Sequence, residues 1–513
     1  MKIFKIVILF CFFYVGINAQ PFVYINTNTE GLIQSQSTWV DVNNDGFQDL
    51  LTTGERYSAN LKIVETNLYI NDKRGNFIPQ NSGIMNMYRS AMDWEDLDKD
   101  GDQDLFITGE NNRREIVARI FKNNGRGQFT GYNPNVQAVR DGAIDISDFN
   151  RDGKSDIVLC GEFNGQIYSK VYKGISSTGF TEMSNNLLPL HGGSVSWGDY
   201  DKDNDDDILI SGETKEGLAY TIIYQNIDNK EFVGINSPLR GVKFGKAVWS
   251  DFDGDNDLDV FITGEDQNFQ LISYFYRNDG RRGFTEIGTS ILGMRSGEVQ
   301  PKDYDCDGDI DLLVSGESIY GPSTRVYRND GDFIFMDANA GLPGVYLGGA
   351  YWADYDKDCD AEIFIIGLDD CFDFEAKLYR NESEIEIKTK KAPPVSNLWI
   401  TSSVSYIQKS PYYYFVWSSC FCNPQNQQII LPGTVSNNDY NMYISDIHYI
   451  TEPYKLQKSF NRQIKYMVYD WAEVMGGHRV SIGYQTRKEA EAAKRQIIKD
   501  YQSENFRIHP VSW

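Results

Sequence analysis

The stretch Asp96-Leu97-Asp98-Lys99-Asp100-Gly101-Asp102-Gln103-Asp104 places an aspartate on every second residue. The same nonapeptide pattern opens at Asp41, Asp96, Asp148, Asp199, Asp251, Asp303 and Asp354, in steps of 55, 52, 51, 52, 52 and 51 residues. A regular period of that size marks an array of one supersecondary unit, repeated seven times along the chain.

The residue types fall into register by loop position. Position 1 holds the seven aspartates just named. Position 3 holds Asn43, Asp98, Asn150, Asp201, Asp253, Asp305 and Asp356, and position 5 holds Asp45, Asp100, Asp152, Asp203, Asp255, Asp307 and Asp358. Position 9 closes the loop with Asp49, Asp104, Asp156, Asp207, Asp259, Asp311 and Glu362. Position 7, expected to offer a backbone carbonyl, is Phe47, Asp102, Lys154, Asp205, Asp257, Asp309 or Asp360. Oxygen donors on alternate residues of a tight loop suit a hard cation that takes six to eight oxygens, which points to calcium. Magnesium demands stricter octahedral geometry, and zinc would want His or Cys. Of the 28 side-chain positions 26 are acidic, and that many carboxylates in short loops repel one another without counter-ions.

Position 6 needs a left-handed turn. Gly46, Gly101, Gly153 and Gly308 supply it, Asn204 and Asn256 tolerate it, and Cys359 should be strained there. With Glu362 replacing Asp, the last loop is expected to bind most weakly. Position 9 leads into β-prone runs such as Asp104-Leu105-Phe106-Ile107 rather than into a helix, so the loop joins two strands.

Around each loop the unit is constant. Two residues ahead stand Trp39, Trp94, Trp197, Trp249 and Trp352, with Ile146 and Pro301 in the other copies. An apolar strand ending in Gly-Glu follows, then a strand such as Phe275-Tyr276-Arg277-Asn278, a Gly-rich turn and a run such as Phe284-Thr285-Glu286-Ile287. Four short strands per unit make up a propeller blade. The pattern resembles the FG-GAP/VCBS repeat family, whose best-known relative is the propeller of integrin α subunits, over about residues 22–388. The resemblance implies an all-β, seven-bladed β-propeller with calcium in the loop between the first and second strands of each blade, and a role in adhesion.

The phenylalanine opening each fourth strand lies 19 residues before the next loop: Phe77, Phe129, Phe180, Phe232, Phe284 and Phe335. Phe22 holds the same spacing to Asp41 with no blade of its own. Residues 22–26 are therefore expected to complete blade 7 and hide two sheet edges; the rival is Ile385-Glu386-Ile387.

Residues 1–19 read as a secretory signal peptide, with Lys2 and Lys5 ahead of an apolar run too short to span a membrane well. Export suits weak calcium sites. The net charge of −24 argues against nucleic acid as a partner, and seven calcium ions would offset a little over half of the charge left after leader removal. Six cysteines remain (Cys160, Cys306, Cys359, Cys371, Cys420 and Cys422), too few for a disulfide scaffold. Cys306 and Cys359 lie in neighbouring loops, where a bridge or two thiols would both fit. The propeller should span 20–388 and a linker 389–394. A β-rich module at 395–450 and a small α+β tail at 451–513 should follow, the latter around a helix capped by Thr486 and Glu489.

Eight residues before each loop stand Ile33, Tyr88, Arg140, His191, Lys243, Arg295 and Tyr346, a ring on the face opposite the loops. Tyr88, Arg140, His191, Lys243, Arg295 and Tyr346 would make a basic, aromatic-rimmed mouth for an anionic or carbohydrate ligand. The competing account pairs them with Glu55, Glu110, Glu162, Glu213, Glu265 and Glu317, which end the second strands on that face, where the last copy has Leu368. The expected function is a monomeric, secreted, calcium-stabilised module that binds a protein or glycan. The alternatives are an exported polysaccharide-active enzyme, for which no nucleophile motif is present, and a structural surface spacer.

Overall fold

The computed structural model describes residues 22–382 except 59, 60 and 359, together with short pieces beyond residue 411. Seven antiparallel sheets follow one another along the chain. Blade 2 shows the plan: Met87–Glu95, Asp104–Asn111, Ile116–Asn123 and Phe129–Tyr132 hydrogen-bond in sequence order, and the acidic loop joins the first strand to the second. In blade 6 the first strand is split into Met294–Arg295 and Val299–Lys302, both paired with Asp311–Ser318.

The second strands are apolar without alternation because both of their faces meet neighbouring blades. Leu105–Ile107, Ile208–Ile210 and Leu312–Val314 are fully buried. The fourth strands bury their opening Phe77, Phe129 or Phe284 and expose the two residues that follow, as expected of an outer edge.

Aromatic residues fill the seams between blades. The residue at loop position 2 of one blade meets the Trp of the next: Phe149 stacks on Trp197 with ring centroids 5.0 Å apart, and Tyr304 on Trp352 at 5.4 Å. A fourth-strand Phe completes each trio, Phe232 in the first and Phe22 in the second. Phe22–Ile25 is thus the outermost strand of blade 7. It pairs antiparallel with Phe374–Asn381 in the register Phe22↔Asn381 to Ile25↔Leu378.

Polar staples repeat as well. The asparagine ending a third strand donates its side-chain N–H to the position-2 carbonyl of the preceding blade: Asn123 to Val42 (2.8 Å), Asn278 to Tyr200 (2.8 Å) and Asn329 to Phe252 (2.9 Å). Asn71 does the same to Tyr355 at 2.9 Å, joining blade 1 to blade 7. Nearer the axis, the backbone N–H of Ile146 donates to Asp93 and that of Trp197 to Asp145, stepping from blade 2 to 3 to 4.

Beyond the propeller, Val416–Asn423 pairs antiparallel with Tyr440–Ser445, which pairs parallel with Arg507–Val511, so strands from both sides of residue 450 share one sheet. The expected leader (1–19), the linker (389–394), the rival closing segment 385–387, the capping pair Thr486 and Glu489, and Cys359 lie outside the described residues.

Candidate functional site

Each acidic loop is shaped by its own backbone. The position-1 carboxylate accepts N–H groups from positions 5 and 6, as Asp199 does from Asp203 and Asn204 (both 3.1 Å). The position-5 carboxylate accepts from position 7, as Asp307 does from Asp309 (3.1 Å). Position 6 is left-handed wherever it is described, from φ 69° at Asn256 to 94° at Gly101. Position 4 is left-handed too, in all seven loops: Asn44, Lys99, Arg151, Lys202, Gly254, Cys306 and Lys357 have φ between 54° and 76°. That second turn brings positions 1, 3 and 5 to one side. In the loops opening at Asp96, Asp199 and Asp251, these three carboxylates lie with oxygens within 4.8 Å of one another; from the loop at Asp303, Asp303, Asp305 and Asp311 do so.

Position 9 lies deepest. Asp311 is fully buried and accepts N–H from Asn329 (2.7 Å) and Tyr304 (3.1 Å), and Asp259 accepts from Asn278 (2.8 Å) and Phe252 (3.0 Å). Burial and then neighbouring loop carboxylates push these groups up despite those bonds: Asp104 to about 6, Asp49, Asp156 and Asp259 to about 7, Asp207 and Asp311 to about 8, and Glu362 to about 9. Asp104 Oδ2, Asp253 Oδ1, Asp305 Oδ1 and Asp354 Oδ1 are buried with no hydrogen-bond partner. Oxygen-only donors, orphaned buried oxygens and carboxylates that burial disfavours as anions all fit a hard divalent cation.

Neighbouring loops also touch through position 4. Asn44 donates to Asp102 (2.5 Å), Lys99 to the Gly153 carbonyl, and Lys202 pairs with Asp257 at 2.5 Å. From the last loop, the Lys357 ammonium lies 5.0 Å from the Phe47 ring centroid in the first.

On the opposite face the structure pairs the ring of cations. Arg140 bridges Glu162 (2.6 Å) and Glu110 of the preceding blade. Arg295 bridges Glu317 (2.9 Å) and Glu265, and Lys243 bridges Glu213 (2.9 Å) and Glu265 (3.7 Å). Tyr88 donates its hydroxyl to Glu110, and His191 lies 3.5 Å from Glu213 with burial holding its pKa down. Tyr346 sits opposite Leu368 and Ile33 opposite Glu55. The mouth is therefore a belt of ion pairs rather than a basic rim. Replacing Arg140 and Arg295 together by Ala leaves Glu162 and Glu317 without their cations, while Glu110 keeps Tyr88 and Glu265 keeps Lys243. Both guanidiniums are partly solvated, so the expected loss is roughly 2 kcal/mol per site, below the fully buried range. A lower urea midpoint at fixed calcium checks it.

The residues that open onto the axis are the next ones along. Gln34, Arg89, Asp141, Gly192, Phe244, Ser296 and Leu347 all have φ between 46° and 62° and line a cavity of about 490 Å³. Backbone N–H groups here donate from blade to blade, Gly192 to Asp141 (2.8 Å), Ser296 to Phe244 (2.6 Å) and Leu347 to Ser296 (2.8 Å). Of the six expected ligand residues only His191 lines this cavity. A signal for the bulge was present one residue on, where every copy carries Ser or Gly: Ser35, Ser90, Gly142, Gly193, Gly245, Gly297 and Gly348. A Cβ on Gly142 would sit 1.8 Å from the Cys160 carbonyl oxygen.

The FG-GAP-like repeat family matches residues 41–107, 96–159, 148–210 and 251–314, and every match starts on the first aspartate of a loop. The chain carries FG-GAP-like repeats. They are the blade units just described, offset so that each match runs from one loop into the second strand of the next blade. No curated protein matches. Among solved structures, the Dos1 propeller aligns at 10% identity over 70% of this chain and 95% of its own, with a TM-score of 0.40. A putative glycoside hydrolase from Parabacteroides distasonis ATCC 8503 aligns at 10% identity over 65% of this chain and 97% of its own, with a TM-score of 0.29. No helix among the described residues of this FG-GAP-like chain is long and apolar enough to cross a membrane.

Proposed function

We propose that this protein is an exported, calcium-ordered binding module, a rigid wheel that holds a protein or glycan partner without turning it over. One observation carries the calcium: in five of the seven loops at least one carboxylate oxygen is buried without a hydrogen-bond partner. Calcium in the loop would neutralise that charge and lock the first strand of each blade to the second. Positions 1, 3, 5 and 9 would hold it through side chains and position 7 through its carbonyl. The loop opening at Asp354, with buried Glu362, would hold it most weakly.

The binding reading rests on the opposite face, where the axial cavity opens among the hairpins that join second to third strands. The cavity carboxylates are tied up, Asp141 with Arg89 and Glu298 with Lys246 (3.0 Å), which supports binding over acid–base work. Native mass spectrometry of protein exchanged into calcium tests the metal. Seven bound ions are expected, falling to six on Glu362→Ala; a mass equal to the bare polypeptide would end the proposal.

A further inference from the structure

We infer that the axial cavity is a binding site for a neutral carbohydrate, a short oligosaccharide end with no uronate or sulfate. The inference rests on the binding reading above and gives its site and ligand class.

Charge is the first ground. The cavity wall holds Arg89 against Asp141 and Lys246 against Glu298, and its Glu213 is paired with Lys243 just behind the wall, so each wall charge is matched. His191 faces these same groups, and burial lowers its pKa, which keeps it neutral at neutral pH. An anionic sugar would meet no unpaired cation here, and a cationic ligand no unpaired carboxylate.

Unmet hydrogen bonding is the second. In the blade 1 sector, Gln34 Oε1, Ser35 Oγ and Gln36 Oε1 have no partner in the protein. Buried amide and hydroxyl oxygens left so are uncommon. Sugar hydroxyls donate and accept at once, and they match a wall of amides, a serine hydroxyl and ion pairs, of which Arg89–Asp141 is bidentate.

The third is an aromatic platform held at a cost. Phe244 stands across the cavity at 38% exposure with φ 53°, a conformation a bulky side chain rarely adopts. Blade 4 fills the same register with Gly192, which meets the turn freely. Strain kept where a smaller residue would serve points to use of the side chain, and an exposed ring beside polar groups suits the C–H face of a sugar. Exposed aromatics continue outward on the same face, Phe269 at 77% and Tyr320 at 45%. The Lys243 ammonium lies 5.4 Å from the Phe244 ring centroid and 5.2 Å from that of Phe269, joining cavity to rim. The volume lies in the range of small-ligand sites.

Calorimetric titration of the full chain in calcium with neutral gluco-, manno-, galacto- and xylo-oligosaccharides tests the inference, with oligogalacturonate and a heparin fragment as the anionic arm. Phe244→Gly and Gln34→Gly adopt the glycine already present in blade 4, so both should melt no lower than the parent. Tyr132→Ala, on an outer strand, is the control. At least one neutral series should bind, and affinity should fall tenfold or more in either glycine variant while the control stays level. Absence of binding by every neutral series, binding of the anionic arm alone, or a loss under tenfold in both variants would overturn it. These results are independent of the ion count: a calcium-filled wheel that ignores neutral sugars sinks this inference alone, and an ion-free one that binds them sinks only the metal.

Discussion

Under the calcium-ordered reading proposed above, a chelator is expected to lower the melting temperature of this propeller by about 15–30 °C relative to calcium. A ligand that binds only the folded state at a hundred times its dissociation constant adds about 2.7 kcal/mol per site, and several filled loops sum to more than 10 kcal/mol. For a large domain each kcal/mol moves the midpoint by about 2 °C or somewhat less. The effect belongs to the buried carboxylates. Asp207 and Asp311, pushed up to about 8, are held by burial and their neighbours in a place that disfavours their anionic form. A divalent ion would remove that penalty, and unfolding in chelator would escape it. Calorimetric scans with calcium, with magnesium and with chelator check this. Magnesium should recover only part of the shift, because it dehydrates reluctantly and wants octahedral geometry. Superimposed scans in calcium and chelator would refute the role given to the loops.

Phe22→Ala destabilises the whole propeller by about 3–5 kcal/mol, the cost of emptying a buried phenylalanine site. Phe22 is 5% exposed and packs on Tyr304 and Trp352, in the place that Phe232 and Phe284 take in their own seams. The next residue, Val23, is 39% exposed, and Val23→Ala should stay within about 0.5 kcal/mol. Denaturant titration of the two variants in calcium reads the contrast. Equal and small effects would mean that the first strand adds little to the closed ring.

Repetition made most of the wheel legible. A single acidic turn says little, but seven in register, with a Trp two residues ahead in five of them and a Phe 19 residues ahead, disclose the unit and its offset. The offset led to the first strand's place in the last blade, where it pairs. Two features escaped because backbone geometry, not side-chain chemistry, imposes them. Position 4 of the loops is left-handed with Asn, Lys, Arg, Gly or Cys, and the axial bulge is left-handed with Gln, Arg, Asp, Gly, Phe, Ser or Leu. Neither register is held by one residue type, Lys filling three of the seven places at position 4, and the only compositional trace of the bulge is the Ser or Gly one residue on. At the mouth the sequence offered two accounts, a ligand ring and a belt of pairs, and strand register decides for the pairs. Arg140 and Arg295 stand out in an acidic chain, yet strand register sets each opposite a glutamate, and the twist between blades brings a second one within reach. What remained visible at the axis is what pairing left over: the amides of Gln34 and Gln36, and the ring of Phe244.

The place of Phe22–Ile25 in the last blade also governs how the molecule is made. The segment that leaves the ribosome early must wait some 350 residues for Phe374–Asn381, so blades 1 to 6 can each form as they emerge while the fastening waits for the seventh. Until then an unfinished blade edge and the waiting strand are both open to other chains. A nascent or truncated product lacking blade 7 is thus a ready partner for strand exchange between copies, and completing synthesis removes that hazard.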